Sequence, residues 1–463
     1  MLVNVRLMYR ISLKILLVMA CIPANAQNND DILDYLPPML ASLKNETRDN
    51  GNVANLCLGF HVNDKSNRPM TDLAKPAPMT TYTDPVFGGK VTRISNADAT
   101  SSGIVRTLYS TIQSWNADES RLILWHRSDG HYLYDGQSYN QIERLNVVPS
   151  DIELIFWSTN DPDTFIYPNQ AIGSFVPTSG GQYRLNGKEL LEYNIATRLC
   201  RVIKDFSSTC TAAGGVTSGG DAQMPSYDGD VVGFRCGDLI FSYRLSTDTI
   251  TELPEANLPS SQTNYAPIPF PSGERSYHYD TVRDENMAIE RTFNLGRPDE
   301  HSSLGRLHNG NDAYFAVAFN ATTDGSCNGG VGSLVVNDAT NGDCRVLVGQ
   351  NNGYPYTLSG THVSALANLN PGWVVVSSIG YGDEGDSLLE QELYLANTDP
   401  NNPQVCRIAH HRSSGRFGSI GYFAEPHPVL SPTGTRVLFN SDWNNSGTVD
   451  AYVVELPSFE TNN

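Results

Sequence analysis

From Tyr82 onward, the chain alternates between short apolar runs and clusters of Gly, Pro, Asn and Asp. Examples of the apolar runs are RLILW at 121–125 and RVLF at 436–439. Runs of this length between turn-forming residues predict β-strands, and no long amphipathic helix pattern interrupts them. Many short strands with closely spaced turns are typical of a sandwich, a barrel or a propeller.

One unit recurs through this β-rich region: a short strand, a turn of the Ser-Pro-Asp-Gly kind and an apolar strand. Such a repeat cannot bury both of its faces alone, so its copies must stack around an axis. The pattern therefore predicts an all-β fold, a seven-bladed β-propeller over residues 82–458, with a large β-sandwich as the alternative. The copies begin at Ser114, Trp157, Pro225, Pro269, Leu307, Leu369 and Leu430.

The N-terminal residues 1–26 are typical of an export signal. Three basic residues precede the apolar run 15–22, and Ala24-Asn25-Ala26 fits a cleavage site. That run is shorter than the roughly 20 residues that cross a bilayer, and no later segment is apolar enough to span a membrane. We expect a secreted or periplasmic monomer, with a lipid anchor at Cys21 as the alternative.

The remaining segments outside the repeats are short. Residues 27–81 are irregular, and we interpret them as an N-terminal extension that wraps the propeller. The early strand at 90–95 is expected to close the ring by pairing with the last blade. Residues 459–463 are predicted to form a C-terminal tail.

The charge of the chain restricts its partners. The formal net charge is −19, and a signal that carries three cations and no acidic residue would leave −22 after cleavage. Such a surface repels the phosphates of nucleic acid, which excludes that class of partner. It also repels a polyanion, so an acidic polysaccharide, the partner we favour below, requires a locally basic groove.

Seven cysteines would remain after signal cleavage, and export permits disulfide bonds. Cys327 and Cys344 flank a predicted hairpin and are the best candidate pair. Cys200, Cys210 and Cys236 lie close in the sequence and are expected to supply one further bond. The odd number leaves at least one thiol unpaired within the chain.

Histidines precede the repeat unit in each of the last three predicted blades. His301, His362 and His427 are 61 and 65 residues apart, which is about one blade each. The innermost strand of a blade starts near the channel, so their imidazoles should converge there, with Glu425 on the same strand face as His427. We predict that these four residues bind one divalent ion, Mn²⁺, Zn²⁺ or Ca²⁺. The alternative is that the histidines form hydrogen bonds between blades and close the channel.

A second group of candidates lies in the first two blades. His126 and His131 flank a strand-connecting loop, Tyr167 ends a strand, and Arg184 lies in a long Gly-rich loop that suggests a binding loop. We assign catalysis to His126, Tyr167 and Arg184, and substrate binding to His131, Gln223 and His301. The alternative is that these residues have no catalytic role. The histidines and the tyrosine would then be ordinary strand-end residues, and the arginine would be exposed to solvent.

Several segments resemble a known family. DPVFGGKVTRIS, YSTIQSWNADESRLIL, WSTNDPDTFIY and EPHPVLSPTGTRVLFNSDW look like segments of exported TolB-like propellers, which include lyases acting on ulvan and on oligogalacturonate. The resemblance to ulvan lyases implies that His126 and Tyr167 act as base and acid and that Arg184 neutralises the uronate. A second family histidine would fall near Arg106-Thr107, where this chain has none.

The resemblance to oligogalacturonate lyases implies a different site, a metal held by histidines of the last blades. His362 and His427 match those positions. Glu425 stands where a histidine is expected, and Tyr422 stands where a glutamine is expected. A carboxylate still ligates a divalent ion, so the site persists in altered form.

Elimination on a uronate explains why these residue types are needed. The C5 proton is only weakly acidic, so Arg or a metal must neutralise the carboxylate before a base removes that proton and an acid protonates the leaving O4. We therefore favour a lyase that cleaves a uronic-acid polysaccharide, ulvan first, by β-elimination. The alternatives are an oligogalacturonate-type metal-dependent lyase, a non-catalytic glycan-binding or envelope scaffold propeller, and a metal-dependent hydrolase.

Overall fold

The computed structural model describes residues 54–219, 224–254, 260–293, 301–318, 327, 332–354, 362–380 and 384–457. The predicted signal, Cys21, Gln223 and the C-terminal tail lie outside these residues. Regular structure in the described part is almost entirely β-strand, and seven sheets correspond to the seven predicted repeats. The predicted seven-bladed β-propeller is therefore confirmed.

The first four blades are antiparallel meanders that run outward in chain order. Blade 1 contains β3 (Val105–Arg106), β4 (Arg121–His126), β5 (Gly130–Asp135) and β6 (Gln141–Arg144). Blade 2 contains β7 (Phe156–Trp157), β8 (Thr164–Pro168), β11 (Glu189–Asn194) and β12 (Leu199–Asp205). Blade 3 contains β13 (Val231–Cys236), β14 (Leu239–Arg244) and β15 (Thr249–Glu252). Blade 4 contains β16 (Ile268–Pro269), β17 (Ser276–His278), β18 (Thr281–Arg283) and β19 (Ile289–Thr292).

The last three blades follow the same plan, and blade 7 also takes in the N-terminal strands. Blade 5 contains β20 (Ser302–Arg306), β21 (Asp312–Ala318), β22 (Ser333–Asp338) and β23 (Cys344–Val348). Blade 6 contains β24 (His362–Ser364), β25 (Trp373–Ser378), β26 (Glu392–Asn397) and β27 (Val405–His410). Blade 7 contains β28 (Val429–Leu430), β29 (Arg436–Ser441), β30 (Asp450–Glu455), β2 (Lys90–Arg93) and β1 (Thr81–Thr83).

The ring closes by pairing the beginning of the propeller with its end. Strand β2 runs antiparallel to β30, with Lys90 opposite Glu455 and Arg93 opposite Tyr452. This pairing was predicted for the strand at 90–95. It places a strand from the start of the propeller in the same sheet as the last strands of the chain. Hydrogen bonds between these strands close the ring.

The central strands of the later blades are buried along their full length. Every residue of β25 and β29 is buried, which explains why each contains a continuous apolar run, WVVV in β25 and VLF in β29, rather than an alternating pattern. The first strands of blades 5, 6 and 7 contact one another in order and line the central channel. This arrangement brings the starts of those strands to one end of the channel.

Blade 2 carries an insertion between β8 and β11. The predicted long loop before Lys188 contains a short hairpin, β9 (Phe175–Thr178) paired with β10 (Gly181–Arg184). The remaining regular elements of the described residues are one helical turn and four 3₁₀ turns. They are α1 (Ser260–Thr263) and the 3₁₀ turns Ala97–Ala99, Gln350–Asn352, Gly415–Phe417 and Gly421–Ala424. Within the described residues, no helix is both long and apolar enough to cross a membrane.

Three disulfide bonds join cysteines that are buried or partly buried. The predicted Cys327–Cys344 bond is present, and Cys210 pairs with Cys236, which leaves Cys200 as the free, buried thiol among the described residues. The third bond, Cys57–Cys406, spans 349 residues and has no local sequence signal. It attaches the N-terminal extension to blade 6.

Other contacts hold the described part of this extension in place. Val62 forms a β-bridge with Cys406, and the Asn63 side chain accepts a hydrogen bond from the Val405 amide. The indole of Trp443 in blade 7 donates to the Leu73 carbonyl at 2.8 Å. Residues of the segment 54–80 therefore contact blades 6 and 7, and the wrapping of the domain by the whole extension 27–81 stays a prediction.

We expect removal of the Cys57–Cys406 bond to destabilise the protein more than removal of the Cys210–Cys236 bond. The chain-entropy contribution of a disulfide grows with the loop it closes, and losing a native bond typically costs about 2–5 kcal/mol. The measurement is chemical denaturation of the Cys57→Ser/Cys406→Ser and Cys210→Ser/Cys236→Ser variants. Equal stability of the two variants would contradict this prediction.

Candidate metal centre

The three channel histidines lie together at the start of neighbouring inner strands. His362 is the first residue of β24, His301 immediately precedes β20, and His427 lies two residues before β28. The ring centroids of His301 and His362 are 4.2 Å apart, and those of His362 and His427 are 4.0 Å apart. The imidazoles therefore converge, as the sequence predicted.

Glu425 joins this cluster. Its Oε2 atom lies 3.8 Å from His362 Nε2 and 3.9 Å from His427 Nε2. One ligand atom from each of these three residues lies within 4.8 Å of the others, a separation that one ion can bridge. His301 stacks on His362 beside this group, and it is the only one of the four that is not buried.

The backbone around His427 is held in an unusual conformation. Its φ angle is 40°, in the left-handed region, which costs a non-glycine residue on the order of 1–3 kcal/mol. Asn440 of β29 fixes the segment, because its amide donates to the Pro426 carbonyl at 2.8 Å. The Asn440 side chain also accepts from the Thr107 amide of blade 1. Backbone strain of this kind is typical of functional sites, where the surrounding contacts hold a residue in an otherwise unfavourable conformation.

The His427 imidazole is ready to act as a ligand. It is fully buried, and neither ring nitrogen has a hydrogen-bond partner of ordinary length among the described residues. Burial lowers its pKa well below the usual value, and electrostatic interactions with His362 and Arg106 lower it further. The ring is therefore neutral near pH 7, which is the form that binds a metal.

A charged and aromatic layer surrounds the cluster. The buried Arg106 guanidinium donates to Glu153 Oε1 at 2.9 Å, and the Tyr422 hydroxyl donates to the same oxygen at 3.0 Å. Arg106 also lies 5.2 Å from the centroid of the Tyr422 ring. The Tyr109 ring lies 5.4 Å from His362 and 4.9 Å from His427 and covers both imidazoles from blade 1.

Arg106 and Glu153 were not predicted as site residues. Both lie near the start of the inner strands of their blades, Arg106 in β3 and Glu153 three residues before β7. This is the same position that identified the histidines of blades 5, 6 and 7. A search of this position in every blade, for any charged residue and not for histidine alone, would have identified Arg106 and Glu153.

His126 and His131 are more enclosed than expected. His126 stacks on Tyr132 at 4.0 Å, and its Nε2 lies 2.7 Å from the Tyr134 hydroxyl. His131 Nε2 lies 2.7 Å from the Ile152 carbonyl. Burial lowers the pKa of each to about 4, so both imidazoles are neutral near pH 7. Their roles in catalysis and substrate binding remain predictions.

Tyr167 and Arg184, the other members of the predicted catalytic group, lie in different environments, and their roles in catalysis remain predictions. Tyr167 is fully buried in the core of blade 2, and its hydroxyl contacts the Cys200 thiol at 3.6 Å. It lies there because β8 is buried along its whole length. Arg184 is exposed at the end of the β9–β10 hairpin. Gln223 lies outside the described residues.

Comparison with known proteins supports the fold. An oligogalacturonate lyase in complex with manganese is 18% identical, with a TM-score of 0.52, covering 82% of this chain and 97% of that one. An oligogalacturonate lyase from Vibrio parahaemolyticus is 16% identical, with a TM-score of 0.53, covering 82% and 96%. No protein-family model matches the chain. No curated protein matches it either. At these identities the likeness shows the propeller fold alone.

The buried His131 should make stability depend on pH. Its pKa is about 4 in the folded protein and 6.5 in an ordinary environment, so the unfolded chain binds a proton that the folded chain excludes. Its contribution to stability is complete above pH 6.5 and decreases as the pH falls toward 4, by up to about 1.4 kcal/mol per pH unit. The His131→Gln variant should show a smaller decrease in melting temperature between these pH values. Identical slopes for variant and wild type would exclude this role.

Proposed function

We propose that the protein is a metal-dependent lyase that cleaves a uronic-acid polysaccharide by β-elimination. The observation that carries the proposal is the convergence of His362, Glu425 and His427 at one end of the channel, beside the more exposed His301. The likeness in fold to two oligogalacturonate lyases, one of them in complex with manganese, supports the same reading.

The residues of this cluster fit a divalent ion. Two imidazoles and a carboxylate are donors that Mn²⁺ and Zn²⁺ accept, and His427 Nε2 lies 3.9 Å from the Glu425 carboxylate. His362, Glu425 and His427 would hold the ion. When bound, a divalent ion supplies positive charge that neutralises the uronate and stabilises the charge developing as the C5 proton leaves.

His301 is the best-placed base for removing the C5 proton. It immediately precedes the inner strand β20, is only partly buried, and stacks on a proposed metal ligand without belonging to the compact triad. A base must reach the proton that it removes, so access favours His301 over the enclosed His126. This assignment changes the role proposed for His301 from ligand to proton acceptor.

Tyr422 is the best-placed acid. Its side chain is 44% exposed, and its ring lies 5.0 Å from that of His427. Partial burial raises its pKa, and the charge of Glu153 raises it further, so the phenol keeps its proton near pH 7. A protonated phenol at this point can donate to the leaving O4. Arg106, on the other side of Glu153, balances the carboxylate charge.

The proposal covers uronate polymers as a class. The sequence favours ulvan because His126, Tyr167 and Arg184 match the residues that the resemblance to ulvan lyases implies, but Tyr167 is fully buried in the structure. The histidine and glutamate cluster supports the oligogalacturonate-type reaction instead. Ulvan, polygalacturonate and alginate should therefore be tested side by side, with the ultraviolet absorbance of the unsaturated uronate as the signal.

We expect the purified protein to contain one divalent ion per chain, and the His362→Ala and His427→Ala variants to lose it. Removing a ligand should weaken metal binding by more than the 10–100-fold that outer-shell changes typically cost. Elemental analysis after dialysis is the measurement. His308→Ala, at an exposed turn of blade 5, is the matched control and should keep the metal. Metal-free wild-type protein that remains metal-free after incubation with Mn²⁺ or Zn²⁺ would contradict the site.

We expect His301→Ala to keep the metal and to lose turnover. General acid–base groups contribute roughly 10²–10⁴-fold, so the elimination rate should fall by about that factor, and Tyr422→Phe should act in the same way. The absorbance assay measures this rate, and elemental analysis confirms that the ion is retained. Release of reducing ends without the absorbance signal would indicate a hydrolase, and binding without either product would indicate a glycan-binding propeller.

A further inference from the structure

Two exposed arginines lie at the end of the propeller that carries the candidate metal centre. Strand β3 begins at that end and runs antiparallel to β4, so β4 ends there at His126. Arg127 follows in the loop between β4 and β5, and its side chain is exposed. Arg144, the last residue of β6, is also exposed. A Cβ atom on Gly130 would lie 3.9 Å from Nη2 of Arg144, so this guanidinium lies against the same loop.

Aromatic rings connect Arg127 to the candidate metal centre. The guanidinium carbon of Arg127 lies 4.6 Å from the centroid of the Phe423 ring, and Trp125 stacks on that ring at 5.8 Å. The Phe423 ring is in turn 5.8 Å from that of Tyr422, the proposed acid. Tyr422 lies 5.0 Å from His427. These contacts order the groups outward from the metal ligands as Tyr422, Phe423 and Arg127.

Neither arginine is neutralised by the protein. Within the part of the chain that the structure describes, the side chains of Arg127 and Arg144 form no ion pair and no hydrogen bond. Arg121, at the opposite end of β4, differs, because it lies 3.7 Å from the Asp135 carboxylate. The guanidinium groups of Arg127 and Arg144 are therefore available to an anion from solvent.

These two charges matter because the chain as a whole is acidic. The formal net charge is −19, which repels a polyanionic substrate. Exposed cations beside the site provide the local attraction that such a substrate requires. Two acidic residues lie nearby, Asp129 in the same loop and Asp151 before blade 2, and neither pairs with the arginines.

We propose that Arg127 and Arg144 bind an anionic group on the leaving sugar, the unit that departs with O4 when the C4–O4 bond breaks. This inference rests on the proposed function, because it takes Tyr422 as the acid. An acid that protonates O4 must contact that oxygen, so the leaving sugar lies beside Tyr422. The cations beyond Tyr422 therefore face the leaving sugar, whereas the uronate that loses its C5 proton lies at the metal ligands.

The geometry of Arg127 suits an oxyanion. A guanidinium is planar and can donate two parallel hydrogen bonds to one oxyanion group. Stacking on Phe423 holds the plane of the group, so its N–H edges remain free to donate. The carboxylate of a uronate and the sulfate ester of a sulfated sugar share this chemistry. A neutral leaving sugar lacks it, so these arginines would make the enzyme select an anionic leaving unit.

The kinetic test compares three substrates in the absorbance assay. The leaving unit is a uronate in polygalacturonate, a sulfated rhamnose in ulvan and a neutral rhamnose in chemically desulfated ulvan. Arg127→Gln should raise KM about three- to tenfold on a substrate with an anionic leaving unit and leave kcat unchanged. On desulfated ulvan, KM should not change. An effect confined to ulvan assigns the site to sulfate, and one confined to polygalacturonate assigns it to carboxylate.

Two further variants separate charge from structure. Arg127→Lys keeps the charge but loses the planar donor group, so its KM should lie between those of wild type and Arg127→Gln. Arg121→Gln removes a cation from the other end of the same strand and should leave KM unchanged. The double variant Arg127→Gln/Arg144→Gln should raise KM further than Arg127→Gln alone.

Binding provides a readout that does not require turnover. Calorimetric titration of tetragalacturonate and of an ulvan oligosaccharide into His301→Ala, with and without Arg127→Gln, should show weaker binding without the arginine. The difference should decrease at high salt, because exposed charges are screened over about 8–10 Å at moderate ionic strength.

The outcomes distinguish this proposal from the proposed lyase function. The proposal is overturned if the double variant keeps the KM and the affinity of its parent, or if KM rises equally on desulfated ulvan. It is also overturned if Arg127→Gln lowers kcat on every substrate without changing KM, because Arg127 would then only support Phe423 and Tyr422. In each of these cases wild-type elimination still stands. Absence of elimination on all substrates would contradict the lyase function, and the calorimetric comparison would still decide whether the arginines bind an anionic sugar.

Discussion

Closure of the ring is the constraint on which the other features of this protein depend. The pairing of β2 with β30 fixes the first blade beside the last, and side-chain contacts reinforce that junction. Arg436 of blade 7 forms a buried ion pair with Glu119 of blade 1 at 2.6 Å, and Asn440 accepts from the Thr107 amide. Because these contacts hold the ring shut, the inner strands of blades 5, 6 and 7 are kept side by side with blade 1.

The candidate metal centre is a direct consequence of that closure. His362, His427 and Arg106 are far apart in the sequence, yet they start inner strands that meet at one end of the channel. The cluster is costly by itself, because a buried imidazole with no partner and a left-handed backbone at His427 both raise the free energy of the fold. A bound ion would offset part of that cost by binding one nitrogen of the His427 ring.

The two ends of the channel differ in chemistry although the same strands supply both. One end presents imidazoles, carboxylates and a guanidinium, whereas the described lining residues at the other are aromatic, aliphatic and uncharged polar. Gln113 bonds to the backbones of blades 1 and 7. A propeller permits this division because each inner strand exposes its first and last residues at opposite openings, while the blade behind it remains apolar.

The sequence by itself determined the class of fold and the most informative candidates. Its seven turn motifs predicted the seven blades, the strand at 90–95 predicted the closure, and the spacing of His301, His362 and His427 predicted their convergence. These features are periodic, and periodicity is visible in a single chain because each blade repeats the same pattern of burial.

Only the tertiary structure decided which side chains reach the channel. A strand end appears the same in the sequence whether its side chain faces the channel or the core between blades, so Tyr167 was indistinguishable from an accessible acid. The Cys57–Cys406 bond and the Arg106–Glu153 pair join segments whose contact depends on how the extension and the blades pack. Long-range contacts of this kind leave no local pattern, because they arise from the closed ring rather than from any one repeat.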